Sequence, residues 1–199
     1  MRAPPRCWRS ASLALLQLRS NFETGADGPA NKNVDWIEEA SGNGDKLIEG
    51  FINGTTIGVR AEGDEDLKTS GSSGVVWITG NDGTLRTLTY SLVGYKFGSF
   101  EVDLKDPRGN NPRWEVTFET DNGSTETFTN FNGGFVSAYT DDGSLLTSVK
   151  LTTNADIDGT GQTRFGGMVA VPEPSTWALM LMGFGGAGAL IRRRRYAAA

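Results

Sequence analysis

The chain has 199 residues, with 19 basic and 24 acidic side chains, one cysteine and no histidine. This length suits one domain of ordinary size with terminal extensions. The lack of histidine excludes the usual general base, histidine-based zinc sites and the Ser-His and Cys-His nucleophile pairs. Residues 21–170 hold 23 acidic against 11 basic side chains, and this net charge of −12 argues against a nucleic-acid partner, which needs a basic surface.

Residues 1–33 resemble a damaged export signal. Arg2, Arg6 and Arg9 supply a positive region, and a short apolar stretch follows at 12–18. A glutamine interrupts this stretch and no A-x-A cleavage site follows it. Three interpretations stay open: a degenerate signal, a wrongly assigned start, or a frameshift that replaced the true leader. Each predicts that residues 1–33 are mostly disordered.

Residues 34–170 predict an all-β domain. About ten short apolar segments are separated by Asx-Gly pairs, which supply the positive φ angles of tight hairpins. Phe100, Val102 and Leu104 alternate with charged residues, as expected of a strand with one buried face, and Trp114 shares the buried phase of its own segment. We expect an antiparallel β-sandwich, jelly-roll-like in topology.

One loop of the body resembles half of a calcium site. Asn154, Asp156 and Asp158 precede Gly159 at the spacing of alternate oxygen ligands, but the bidentate glutamate expected at position 165 is Phe165. The favoured interpretation is a glycine-rich hairpin whose Asx side chains bond their own backbone. No cofactor is predicted apart from this weak calcium hypothesis.

Aromatic residues offer a second candidate site. Trp77 and Tyr95 are candidates for a flat platform that stacks on sugar rings, although most aromatic side chains of a sandwich must fill its core.

Paired carboxylates offer a third candidate site. They can hydrolyse glycosides without histidine, and Glu101, Asp103, Glu115 and Glu119 lie on the polar phases of two strands. Solubilising residues on a wet sheet face explain these four acids better, so we expect a body that is not an enzyme.

The C-terminal segment predicts a membrane anchor. Trp177–Ile191 is an uncharged run of about 22 Å as a helix, and Arg192, Arg193, Arg194 and Arg195 follow it directly. The arginines hold their end of the helix in the cytoplasm, so the body is placed outside. Residues 171–199 are therefore expected to form a single-pass transmembrane tail.

Pro172, Glu173, Pro174, Trp177 and Ala178, followed by the apolar run and the arginines, resemble the PEP-CTERM sorting signal in its PEPxxWA variant, over residues 171–195. This signal occurs in Gram-negative bacteria that make exopolysaccharide. The resemblance implies export, transient anchoring in the inner membrane and recognition by an exosortase-type membrane peptidase near Pro-Glu-Pro.

The sequence thus predicts a non-catalytic protein of the cell surface or biofilm matrix, with exopolysaccharide as a candidate ligand. A secreted glycoside hydrolase and a calcium-dependent carbohydrate-binding module are the alternatives.

Overall fold

A computed structural model describes residues 20–25, 28–36, 45–72, 75–105 and 114–172, together with Met180, Met182 and Phe184. These residues form fifteen strands, and all strand pairings are antiparallel. The strands are β1 (Ser20–Thr24), β2 (Lys32–Trp36), β3 (Leu47–Ile52), β4 (Gly58–Gly63), β5 (Leu67–Ser72), β6 (Val75–Gly80), β7 (Leu85–Leu92), β8 (Tyr95–Lys96), β9 (Ser99–Lys105), β10 (Trp114–Thr120), β11 (Thr125–Phe131), β12 (Gly134–Thr140), β13 (Ser148–Ile157), β14 (Gly159–Gly166) and β15 (Val169–Ala170).

The strand order is that of a jelly roll. One four-stranded layer, sheet 1, has the order β6-β14-β9-β12, and the facing layer, sheet 2, has the order β7-β13-β10-β11. Apart from the β10–β11 hairpin, the successive long strands from β6 to β14 lie alternately in the two sheets. This alternation defines the jelly roll, so the predicted jelly-roll-like sandwich is confirmed.

Additional strands extend both sheets. β1 pairs with β12 and β5 with β6 at the two edges of sheet 1. β4, β3 and β2 continue sheet 2 beyond β7, and β2 also pairs with β14, so that this strand joins the two sheets at one corner.

Alternating burial explains how the short strands form one core. In β10, Trp114, Val116 and Phe118 are buried whereas Glu115 and Glu119 are exposed, as predicted. Aromatic rings from both sheets meet between the layers: the Tyr90 and Phe100 ring centroids are 4.9 Å apart. The Tyr90 hydroxyl donates a hydrogen bond to Thr160 Oγ1 at 2.6 Å, which satisfies a polar group in the centre of the core.

The structure differs from the sequence interpretation at the start of the domain. The interpretation began the sandwich at residue 34, whereas Ser20–Thr24 and Lys32–Trp36 are already strands. The β1 segment has little apolar pattern of its own, and its place at the edge of sheet 1 comes from backbone pairing with β12. β5 is a further strand, although the glycine, serine and charged residues of its segment favour a loop. Residues 1–19, which include most of the predicted leader, lie outside the described residues.

Candidate functional site

The outer face of sheet 1 collects aromatic and charged side chains in register. Trp77 of β6 is opposite Gly161 of β14, Gly161 is opposite Asp103 of β9, and Asp103 is opposite Phe135 of β12. We call these four residues the Trp77 row. Since neighbouring strands lie about 4.8 Å apart, the row spans about 14 Å across three strand spacings.

Trp77 lies flat on the backbone of Gly161. A β-carbon at position 161 would lie 2.8–3.1 Å from three atoms of the indole ring, so only glycine leaves room for the ring there. Ile78, the next residue, points into the core with no exposed surface, whereas Trp77 stays partly exposed. The indole is therefore a flat aromatic surface on the outside of the sandwich.

A lysine approaches this ring from β9. Lys105 Nζ lies 5.5 Å from the Trp77 ring centroid, within the range of a cation–π contact. The same ammonium forms a 3.2 Å ion pair with Asp158, whose side chain is almost fully buried. Asp158 thus fixes the position of the lysine beside the aromatic ring.

An ion pair between a buried glutamate and a partly exposed arginine lies on the same face, next to the row. Arg164 Nη1 donates a hydrogen bond to Glu101 Oε1, and Ser137 Oγ donates one to Glu101 Oε2 at 3.3 Å. Glu101 has no exposed surface, because the chain at Gly28 passes directly over it: a β-carbon at Gly28 would lie 3.0 Å from Glu101 Oε2. The Arg164 guanidinium also lies 4.9 Å from the Phe135 ring centroid, which connects the pair to the Trp77 row.

The four acids that the sequence offered for catalysis fall into two separate groups. Glu101 and Asp103 point outward from sheet 1, whereas Glu115 and Glu119 are exposed on sheet 2, across the core. Burial raises the pKa of Asp103, and the nearby Arg164 partly offsets this rise. Glu101 is buried and bonded to Arg164, so Asp103 is the accessible one of the two carboxylates on sheet 1.

A groove adjoins the row at Phe135. It has a volume of about 550 Å³ and lies between the end of β1, the edge strand β11 and the β11–β12 loop. Its lining consists of hydroxyl, amide, phenyl and glycine groups, and none of the described lining residues is charged. These residues are Thr24, Gly25, Thr127, Phe128, Thr129, Asn130, Phe131, Asn132, Gly133, Gly134 and Phe135. Asn130 adopts a φ of 57°, in the region where the β10–β11 register shifts. Such bulges at sheet edges turn side chains toward new directions.

The structure does not bring the two predicted platform residues together. Tyr95 lies in β8, which follows β7, whereas Trp77 lies in β6, which precedes it. The eight residues of β7 span about 26 Å, and this length separates the β6–β7 turn from the β7–β8 turn. Of these two residues, Trp77 lies on the outer face of sheet 1, whereas Tyr95 pairs with Ala170 near the C-terminal end of the described chain.

The three candidate calcium ligands have three different partners. Asn154 Oδ1 accepts a hydrogen bond from the Glu115 amide, Asp156 pairs with Arg86, and Asp158 pairs with Lys105. They lie along β13 and the turn into β14 rather than around a common point. The favoured interpretation of this segment as a hairpin is wrong, because β13 and β14 lie in different sheets and do not pair with each other. Within the described ranges, no group of three or more acidic, histidine or cysteine side chains could hold a metal ion. Calcium binding here stays a prediction.

The chain leaves the sandwich through a short strand. β15 pairs with β8, and the Val171 amide donates a hydrogen bond to Gly94 O at 2.8 Å. Val171 and Pro172 are exposed. Glu173, Pro174, Trp177, Ala178 and the arginines lie outside the described residues, as does the predicted span apart from Met180, Met182 and Phe184.

The family model of the PEP-CTERM protein-sorting motif matches residues 170–195, beginning where β15 ends. The chain carries a PEP-CTERM sorting motif. The predicted resemblance is confirmed over this segment, and the motif implies export, sorting by an exosortase-type membrane protein and transient membrane anchoring. Among the described residues, no helix has the length and apolar character needed to cross a membrane.

The match leaves the sandwich itself outside the PEP-CTERM motif. No curated protein matches the chain. No solved structure matches it either. The chemistry of the body therefore has to be argued from its own surfaces.

Several residues of this surface carry no recognisable signal in the sequence. Phe135 joins the row, and Arg164 lies next to it, only through strand pairings between segments far apart in the chain. Gly161 lay within a glycine-rich segment that also fits an ordinary hairpin. The strand register that places Gly161 opposite Trp77 would have identified this glycine as part of the surface, but register cannot be deduced from one sequence.

Proposed function

We propose that this chain is an exported protein of the cell surface or extracellular matrix, sorted through its PEP-CTERM tail, and that its sandwich binds polysaccharide without cleaving it. The sorting motif at residues 170–195 supports the first part. The flat indole of Trp77 on Gly161 is the single observation that supports the second.

The surroundings of Trp77 suit a sugar. An aromatic ring offers an apolar surface to the carbon-bound hydrogens of a sugar ring, while neighbouring polar groups bond its hydroxyls. Asp103 and Lys105 supply such groups beside the ring, and Phe135 extends the row toward the uncharged groove. A row of about 14 Å suits a segment of a linear polysaccharide that crosses the strands.

The charges favour a neutral polymer or one that carries amino groups. Lys105 pairs with Asp158 and Arg164 pairs with Glu101, so with Asp103 these five described side chains carry a net negative charge. The net charge of −12 over residues 21–170 also repels polyanions. We therefore expect weaker binding to polymers rich in uronic acids.

Hydrolysis is disfavoured by the placement of the acids. A glycosidase needs two carboxyl groups that both reach the scissile bond, about 5–9.5 Å apart. Glu101 is buried and held by Arg164, whereas Glu115 and Glu119 lie on the other sheet. Asp103 alone does not supply such a pair.

The test is a binding and turnover screen with the purified protein on the exopolysaccharide of the producing cell and on neutral, amino-sugar and uronic-acid polymers. We expect binding without release of reducing ends, strongest for polymers that lack acid groups. Binding that persists in a chelator would count against the calcium-dependent alternative. Cleavage that Asp103→Asn abolishes would overturn the proposal in favour of a hydrolase.

A further inference from the structure

An apolar patch lies at the end of the sandwich where the sorting tail begins. Its members are Phe51, Val93, Val169 and Val171, which are 46%, 44%, 50% and 43% exposed. We call these four residues the tail-proximal patch. Scattered apolar side chains are normal on a protein surface, so the position of this set is what has to be explained.

Backbone contacts connect the members of the patch. Phe51 is opposite Gly58 in the β3–β4 pairing, and the Val93 amide donates a hydrogen bond to Gly58 O at 2.9 Å. Gly94, the next residue, accepts the hydrogen bond of the Val171 amide. A shallow hollow of about 270 Å³ adjoins Phe51 and Val93.

The length of the tail places this patch close to the membrane. Five residue steps separate Pro172 from Trp177, the first residue of the predicted span, and an extended chain spans at most about 3.6 Å per residue, or about 18 Å in all. The hydrogen bond of Val171 fixes the start of this connection to the sandwich. While the tail is anchored, Pro172, which directly follows the patch member Val171, is therefore held within about 18 Å of the start of the span, and the headgroup region around that start is itself several ångströms thick.

We propose that the tail-proximal patch rests on the lipid surface while the tail is anchored, and so orients the sandwich before the tail is processed. The inference rests on the anchoring that the sorting motif implies. Lys96, in register with Val169, adds a cation that suits anionic headgroups, whereas the acidic remainder of the body is repelled by them. The other end of β7, at the β6–β7 turn, then faces away from the membrane.

The test uses the full chain reconstituted in vesicles of phosphatidylethanolamine and phosphatidylglycerol. In a Cys7→Ser background, a polarity-sensitive fluorophore is attached either to Val93→Cys or to Asn81→Cys, which is exposed at the opposite end of β7. We expect blue-shifted emission and quenching by lipid-borne spin labels at position 93, and neither effect at position 81. In a Phe51→Ser, Val169→Ser, Val171→Ser variant, the label at position 93 should lose most of this quenching.

Flotation with the vesicles checks the anchoring separately. If the chains float and the two labels are quenched equally, the patch proposal is overturned while the anchoring stands. If the chains do not float, the anchoring fails and the patch proposal fails with it. Shielding of position 93 that appears only when the peptidase is co-reconstituted would overturn the lipid surface as the partner.

Discussion

Replacing Arg164 with alanine is expected to destabilise the sandwich by about 3 kcal/mol, because it leaves the buried Glu101 carboxylate without a counter-charge. Ser137 supplies one hydrogen bond to this carboxylate but no positive charge. Water cannot reach Glu101 easily, since the chain at Gly28 covers it. Chemical denaturation at neutral pH measures the loss.

Arg60→Ala is the matched control for this experiment. Arg60 pairs with Glu49 at 3.0 Å, but both side chains are about half exposed, so its loss should cost about 0–1 kcal/mol. Adding Glu101→Gln to Arg164→Ala should restore part of the stability, because the uncompensated charge is removed. Equal losses for Arg60→Ala and Arg164→Ala would contradict the buried pair.

Trp77→Ala is expected to weaken polysaccharide binding about 30-fold, the effect of about 2 kcal/mol that a central tryptophan typically contributes to an interface. The physical reason is the loss of the flat surface over Gly161. Gly161→Ala should weaken binding as well, since its β-carbon displaces the indole without removing it. Isothermal titration with the polymer selected by the screen gives both affinities.

Tyr139→Ala serves as the control for the aromatic substitution. Tyr139 is on the same outer face of sheet 1, opposite Ser99, and lies beyond the Ser137–Glu101 pair from the Trp77 row. We expect the Tyr139→Ala variant to bind the polymer with the affinity of the unchanged protein. An unchanged affinity for Trp77→Ala, with the fold intact by thermal melting, would exclude the row as the binding surface.

The fold class was predictable because it depends on local patterns. Alternation in segments such as Trp114–Thr120 sets one buried face, and the Asn122-Gly123 turn sets the β10–β11 hairpin: Gly123 adopts a φ of 85°, and Asn122 Oδ1 accepts a hydrogen bond from the Ser124 amide. In the turn that leads from β6 in one sheet to β7 in the other, Asp82 accepts a hydrogen bond from the Thr84 amide, and this bond lowers the pKa of Asp82. The sorting motif was predictable for a similar reason, since its parts are contiguous.

The candidate surface was not predictable, because it depends on register. Trp77 was proposed from its residue type, but its partners Gly161, Asp103 and Phe135 come from three other strands. The edge strand β1 was missed since its pairing with β12 comes from backbone hydrogen bonds rather than from an apolar pattern. Asn154, Asp156 and Asp158 likewise lie apart because the chain is extended through β13 and the turn after it, which ligand spacing alone does not show.

The sorting of this protein through its tail is tested most directly by mass spectrometry of the protein recovered from the surface or matrix of producing cells. We expect a mature chain that ends near Pro172–Pro174 and lacks the segment from Trp177 onward, and an uncut chain in cells without the exosortase-type peptidase. Surface protein that retains Arg192–Arg195 in cells with that peptidase would contradict the account.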